Sequence, residues 1–305
     1  MADFNFRSPE ERIYHPLLDK YGVQLYVKRD DMIHPFISGN KWRKLKYLLQ
    51  AASRQNKKHL VTFGGAWSNH IVATACAGAR FGFRTTAYIR GEQVDNSVLM
   101  LCRLFGMKLR FVDRQSYRDK RELYDRYHGN ETDAYFVDEG GSSLEAVRGC
   151  AEIITELENP YDHICCACGT GTTIAGIAAG LNEQQLNMKP HAFPVLKGAG
   201  FLQKDLLELG VDSDQLVWHY DYHFGGYGKT PPLLLQFIHD FARQTGVLLD
   251  PIYTGKLFFG IFDLVKNGYF PTNSRILAIH TGGLTGLLGK QDDLLRTLND
   301  TNDHE

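Results

Sequence analysis

The residues best able to do chemistry stand in one short stretch, Ser38-Gly39-Asn40-Lys41-Trp42-Arg43-Lys44-Leu45-Lys46. A glycine turn delivers Lys41 to a segment that reads as a helix, its apolar face marked by Leu45, Leu48 and Leu49. A lysine ordinarily ends in water. Here Lys41, Arg43, Lys44 and Lys46 put four cations in six residues. Repulsion among them, with partial burial, favours loss of the Lys41 proton. A neutral amine of this kind forms a Schiff base with a carbonyl compound. The stretch therefore calls for a carbonyl partner, and a phosphate on that partner would give the fold a handle.

A glycine-rich loop that leaves a strand and opens a helix offers free backbone N–H groups and a helix dipole to an anion. Gly169-Thr170-Gly171-Thr172-Thr173 has this form, and its threonine hydroxyls add donors suited to a phosphate monoester. It is not a dinucleotide fingerprint, whose third glycine would fall at Ile174, nor a Walker loop, since Ile177 stands at the lysine position. Read blandly, it is a strand-to-helix turn. Gly64-Gly65-Ala66-Trp67-Ser68-Asn69-His70 is a second such loop. Ser68 or Asn69 could be a plain helix cap, or this N-terminus could hold a substrate carboxylate while Asn69 donates to a phenolate oxygen. In Glu139-Gly140-Gly141-Ser142-Ser143 the serines read as caps. Tyr227 and Tyr253, taken alone, are packing aromatics with wet hydroxyls, and Thr281 is a strand-end residue.

These loops need strands and helices to position them, and the chain supplies an alternating series. Strands are predicted at 24–28, 59–63, 85–89, 108–112 and 134–137, with helices at 71–81, 96–105, 117–128 and 144–157. A second series follows Asn159-Pro160: strands 163–167, 191–196, 216–219 and 275–280, with helices 172–181, 202–209, 231–245 and 256–267. Alternation of this kind implies two open parallel sheets, each flanked by helices, with a cleft between them. Residues 1–22 read as an irregular surface segment, and 292–305 as an acidic, polar tail whose last few residues fray. The composition is that of an ordinary globular chain of 305 residues. Lys+Arg 34 against Asp+Glu 35 gives a net charge of -1, which offers nothing to nucleic acid or an anionic membrane. No apolar run approaches the roughly 20 residues of a membrane span, and the N-terminus lacks a signal-peptide core. Six cysteines do not make a disulfide framework in a chain of this length, and Cys165-Cys166-Ala167-Cys168 reads as a core strand, not a metal site. A reducing cytoplasm is the expected home.

Taken in order, Lys28-Arg29-Asp30-Asp31, Gly39–Leu45, Ser68-Asn69-His70, Gly169–Thr173, Leu249–Lys256 and His280-Thr281-Gly282-Gly283 resemble one family. It is the pyridoxal-phosphate enzymes of fold type II, the tryptophan synthase β-subunit-like fold. Within it the chain resembles the branch of 1-aminocyclopropane-1-carboxylate (ACC) deaminases and D-cysteine desulfhydrases. The resemblance implies two α/β domains, a large cofactor-binding one over 1–47 and 158–305 and a small one over 48–157, with the active site in the cleft. It implies that Lys41 holds pyridoxal 5'-phosphate as a Schiff base and that Asn69 contacts the ring oxygen. Gly169, Thr170, Gly171, Thr172 and Thr173 would hold the phosphate. Ser68, Asn69 and His70 would receive the substrate carboxylate, with Ser68, Tyr227 and Tyr253 at the reacting carbons.

Thr254 and Thr281 occupy positions where ACC deaminases typically carry Glu and Leu. Neutral hydroxyls make the pyridine a weaker electron sink, which suits β-elimination. Threonine at both places resembles the D-cysteine desulfhydrases. Phe36, Trp42 and Trp67 are bulkier than the family pattern. The resemblance thus implies a homodimeric lyase converting D-cysteine to pyruvate, ammonia and hydrogen sulfide. ACC deamination to 2-oxobutyrate and an idle cofactor-binding protein are the alternatives. A nicotinamide-dependent dehydrogenase is disfavoured by the absent third glycine.

Overall fold

The computed structural model describes residues 6–302. The first half of the chain runs β1 (Glu10–Ile13), α1 (Pro16–Tyr21), β2 (Gln24–Lys28), α2 (Asn40–Arg54), β3 (His59–Gly64), α3 (Asn69–Phe81), β4 (Arg84–Arg90), α4 (Ser97–Leu104), β5 (Lys108–Val112), α5 (Lys120–His128), β6 (Ala134–Val137) and α6 (Leu144–Thr155). The second half runs β7 (His163–Cys168), α7 (Thr172–Glu183), β8 (Lys189–Pro194), α8 (Phe201–Glu208), β9 (Val217–Trp218), α9 (Pro232–Thr245), α10 (Thr254–Lys266), β10 (Arg275–Ile279) and α11 (Gln291–Asn302).

Two sheets result. The larger has the order β1-β2-β10-β7-β8-β9 and the smaller β5-β4-β3-β6. All pairings are parallel except β1 with β2, where Glu10 lies opposite Lys28 and Ile13 opposite Leu25. β3 and β7 are buried along their whole length, as central strands covered on both faces must be. Residues of α1, α9 and α10 fill the core on one face of the larger sheet, and residues of α6, α7 and α8 the other. On the smaller sheet α2, α3 and α4 pack on one face and α5 on the other.

Two expectations need correction. Residues 1–22 are not irregular throughout: Glu10–Ile13 forms an antiparallel edge strand, and Pro16 opens α1, which Gly22 closes in the left-handed conformation. The helix expected over 117–128 is broken. Asp119 caps α5 through the Glu122 N–H, so Tyr117 belongs to a separate short turn. The acidic tail is helical through Asn302, with Asp292 and Asp293 in its first turn where the dipole favours them. Residues 303–305 lie outside the described residues.

α6 holds the layers together at close range, packing on both α2 and α7. A Cβ at Gly149 of α6 would stand 1.9 Å from the Arg43 carbonyl oxygen of α2. α2 runs unbroken from Asn40 to Arg54, so position 47/48 falls inside a helix. Its first residues meet the end of β10, while its later turns join the core of the smaller sheet. Among the described residues no helix is long and apolar enough to cross a membrane.

Candidate active site

Gly39 sets the start of α2. Its φ is +60°, and a Cβ there would meet the Thr281 carbonyl oxygen at 1.9 Å. Only glycine lets the two backbones come this close. The Asn40 N–H donates to that same carbonyl at 3.3 Å, so Asn40 and Lys41 are delivered to the gap beyond the C-terminal end of β10. Lys41 Nζ donates to Asn40 Oδ1 at 2.8 Å, and Asn40 Nδ2 donates to Thr173 Oγ1 at 2.9 Å. One side chain thus ties the Lys41 amine to the threonine loop 133 residues away. Burial pushes the Lys41 ammonium down to about 7, and the neighbouring Lys44 adds to the effect.

The four cations do not act alike on Lys41. Arg43 is fully enclosed between two carboxylates: Nε and Nη2 reach Asp30 at 2.5 and 2.6 Å, and Nη1 and Nη2 reach Glu156 at 2.9 and 2.8 Å. Its guanidinium is held charged, well above its ordinary pKa, by those two acids. Lys46 lies 2.8 Å from both oxygens of Glu152. Lys44 is therefore the member of the cluster that acts on Lys41.

Lys41 opens into a cleft of about 440 Å³, a volume typical of small-molecule sites. Gly169, Thr170, Gly171 and Thr173 form part of its wall. α7 starts behind them with Gly171 as N-cap and no side chain capping it, leaving its first N–H groups for a ligand. Thr172 departs from expectation. It is buried, donates to Ser142 Oγ at 2.9 Å and does not line the cleft. It braces the loop from behind. Ser143 caps α6 at Ala146 as expected. Lys44 Nζ, also stripped of water and lowered in pKa, points at the turn, 3.2 Å from the Gly140 carbonyl and 3.5 Å from Thr170 Oγ1.

Ser68, Asn69 and His70 line the opposite wall. Ser68 sits at the N-cap position of α3, yet its hydroxyl makes no capping bond, so the plain-cap reading does not describe it. Asn69 Oδ1 accepts from the Thr285 hydroxyl, which leaves its amide N–H groups for the cleft. His70 Nε2 lies 2.7 Å from Thr62 Oγ1, and Nδ1 has no partner among the described residues. Burial, then Lys41 and Lys44, push its pKa well down, so the ring is neutral.

Tyr227 and Tyr253 meet edge to face, their ring centroids 6.0 Å apart at the cleft. Tyr253 leans on Gly169, where a Cβ would stand 3.0 Å from its ring. Burial raises the pKa of both phenols, so both are protonated at neutral pH. Lys256 Nζ fastens the loop before Tyr227 by donating to the carbonyls of His223 and Gly226 at 2.9 and 2.8 Å. Thr281 lines the cleft, but Thr254 does not. The Thr254 hydroxyl is buried and donates to Asp250 Oδ2 at 2.7 Å, while the same carboxylate accepts from the N–H groups of Ile252, Tyr253 and Thr254. The local cap at the start of α10 takes this hydroxyl.

Of the bulky residues, Trp67 lines the cleft, whereas Trp42 stacks on Phe81 and Phe36 packs on Phe105 in the core of the smaller sheet. Sequence reasoning gave Asn40, Thr285 and the cleft residues Arg90 and Arg114 no role, and used Lys44 only as one of four repelling charges. Arg90 is the last residue of β4 and Arg114 follows β5, at the strand ends where ligands of open α/β sheets collect, and that rule could have found them. Lys44 is one turn on from Lys41, on the same helix face.

The residues present fit pyridoxal phosphate. An amine brought toward neutrality stands at one side of the cavity. An uncapped helix start with two threonine hydroxyls stands at the other, joined to it through Asn40.

Residues 12–282 match the family model described as pyridoxal-phosphate dependent enzyme. The chain is 32% identical over 293 residues to a Pyrococcus horikoshii protein provisionally named 1-aminocyclopropane-1-carboxylate deaminase, covering 91% of this chain and 90% of that one. It is 32% identical over 304 residues to the mitochondrial bifunctional D-cysteine desulfhydrase/1-aminocyclopropane-1-carboxylate deaminase of Arabidopsis thaliana, covering 90% and 75%. Among solved structures, one described as an ACC deaminase homologue superposes with a TM-score of 0.84 at 30% identity, covering 96% of this chain and 94% of that one.

Proposed function

The chain belongs to the pyridoxal-phosphate-dependent enzymes of fold type II, in the ACC deaminase and D-cysteine desulfhydrase family, and from that premise we propose that it is a lyase whose preferred substrate is D-cysteine. The observation that carries the reading is the cleft itself: an amine lowered to about 7 faces an uncapped helix N-terminus across one cavity. In this reading the two domains are 1–47 with 158–305 and 48–157.

Pyridoxal phosphate, when bound, supplies an aldehyde that condenses with amines and a ring that draws electrons from Cα. Gly169, Thr170, Gly171 and Thr173 grip its phosphate with the α7 N-terminus, and Lys44 adds a cation on that side. Thr172 acts through its bond to Ser142. Asn69 donates to the ring oxygen, and the α3 N-terminus with Ser68, Asn69 and neutral His70 receives the substrate carboxylate. The Lys41 amine would be the base for the Cα proton, its lowered pKa matched to that task. The protonated phenols of Tyr227 and Tyr253 stand ready to donate a proton at the departing sulfur. Overall D-cysteine and water give pyruvate, ammonia and hydrogen sulfide.

The preference for D-cysteine over ACC rests on the neutral wall at Thr281, Gly282 and Gly283. Asp250 lies behind it, its Cγ 3.9 Å from where a Cβ at Gly283 would stand, and is already engaged by three backbone N–H groups and the Thr254 hydroxyl. Without a carboxylate to hold the pyridine nitrogen protonated, expulsion of a good leaving group is favoured over ring opening. ACC deamination is the second reading, supported by the names of the relatives. Sulfide and pyruvate from D-cysteine, with little 2-oxobutyrate from ACC, is the expected outcome; the reverse yields would favour the second reading. An unchanged cofactor absorbance with no keto acid from any amino acid tried would leave only a binding protein. A homodimer in a reducing cytoplasm completes the proposal, in keeping with six unpaired, buried thiols; sedimentation would give its mass.

A further inference from the structure

A second polar cluster lies at the N-terminal ends of the smaller sheet's strands, the end away from the cleft. His59 opens β3, His128 closes α5, and Glu131 sits in the turn that leads to β6. His59 Nδ1 is 3.0 Å from Glu131 Oε1, and His128 Nδ1 is 2.6 Å from Glu131 Oε2. The two nitrogens and a carboxylate oxygen all lie within 4.8 Å of one another. Both imidazoles are buried, while the Glu131 side chain is 31% exposed. We propose that His59, His128 and Glu131 form a three-ligand site for Zn²⁺, completed by water from the solvent side.

The donor set is the first argument. Two imidazoles and one carboxylate, with a position left open, is a common protein environment for zinc. The second argument is the far side of each ring. His59 Nε2 lies 2.8 Å from Thr86 Oγ1, and His128 Nε2 lies 3.1 Å from the Tyr88 hydroxyl. A hydroxyl can donate or accept. Without metal, each Nδ1–H can donate to Glu131 and each Nε2 accept from its hydroxyl. With metal, each ring moves its proton to Nε2 and gives it to the same hydroxyl, which then orients the ligand as outer partners of metal-bound histidines do. No net proton is gained or lost by a neutral ring in this exchange.

Metal–ligand bonds of about 2.0–2.1 Å place tetrahedral neighbours roughly 3.3 Å apart. The two Glu131 contacts, made to different oxygens, must therefore open by less than an ångström while the widest pair of donors, within 4.8 Å, closes toward that spacing, and Glu131 is the exposed member on a turn. Arg84 is the opposing feature. Its Nη2 lies 3.3 Å from Glu131 and 2.9 Å from Asp133, so it competes with a cation for Glu131 and can retire to Asp133. An ion here would clip the start of β3 to the end of α5 and the approach to β6.

The test is titration of the full-length, cofactor-loaded, chelator-treated protein with ZnCl₂ by calorimetry, with thermal melting in parallel. One equivalent should bind saturably and raise the midpoint. His128→Gln and Glu131→Gln should each weaken binding at least about tenfold and remove the thermal shift. Arg84→Ala should tighten binding about tenfold, a gain that misfolding could not produce. Absence of saturable binding at micromolar Zn²⁺, or binding unchanged in both ligand variants, would overturn the proposal and leave the cluster as a hydrogen-bonded prop.

Discussion

The two faces of α2 put the same charge in opposite surroundings. Lys41 and Lys44, one turn apart, share a face turned into the cleft, and neither makes an ion pair among the described residues. Arg43 and Lys46, also one turn apart, share a face on which Asp30, Glu156 and Glu152 wait. Burial acts on both faces, but on the first no paired carboxylate offsets it. Lys41 is driven toward neutrality, while Arg43 is held charged. A run of cations therefore has no chemistry of its own: the distribution of carboxylates around it decides which member becomes a base and which a strut.

The largest expected effect breaks the reactive face. Lys41→Ala removes the amine that, in the proposed reading, both holds the cofactor and takes the Cα proton, and turnover should fall by at least the 10²–10⁴-fold that general base catalysis typically supplies, measured as keto acid released. Its fold should survive. On the other face the pattern should invert. Asp30→Ala strands a buried guanidinium with one carboxylate and takes away the acceptor of the Ser8 hydroxyl. A loss of about 3–5 kcal/mol is expected for breaking such a pair, read from denaturant midpoints, with little change in turnover per folded molecule. If Asp30→Ala instead lowered turnover without lowering stability, the division of the helix into two roles would be wrong.

Lys44→Met sharpens the comparison within the reactive face. Loss of a hydrogen bond to a charged group corresponds to about 1.5–3 kcal/mol, so cofactor dissociation should rise about 10–100-fold, followed by equilibrium dialysis. The proton linkage of Lys41 offers a second measure. Its folded pKa of about 7 lies below the ordinary 10.5. Between those values the unfolded chain binds the extra proton, so stability of the cofactor-free protein rises with pH across that window and is flat for this group below it. Subtracting the curve of Lys41→Met from that of the unaltered protein should leave this rise alone; a falling difference would reject the burial argument.

Much of this was legible because it is local. Strands such as β3 and β7 announce themselves as short apolar runs that start after a polar turn and run into glycine, and the loops at 64–70 and 169–173 sit where strand gives way to helix. The edge strand Glu-Glu-Arg-Ile did not, since three of its four residues are charged and it pairs on one side only. Asn40 was hidden for a different reason. Its partner Thr173 is 133 residues distant, and nothing near Asn40 foretells that bond. Thr254 misled in the opposite direction: an aspartate four residues earlier captured its hydroxyl before the cleft could. The allocation of Arg43 depends on Glu156, 113 residues on, and no charge count in the stretch itself could assign it.

The smallest effect tests whether the strut face needs charge at all. Lys46 Nζ touches both oxygens of Glu152 at 2.8 Å, and the Tyr47 hydroxyl donates to one of them. Unlike the enclosed Arg43 pair, this one is part exposed, with side chains 28% and 23% accessible. Glu152→Gln keeps an oxygen for the tyrosine and the lysine and removes only the negative charge. The loss should then be no more than the 0.2–1 kcal/mol of a solvent-screened pair, and it should shrink further in 1 M salt, where the screening length falls to about 3 Å. A loss matching that of Asp30→Ala would mean that the two pairs form one network through α6, and that Lys46 belongs to the frame on which the reactive lysine is mounted.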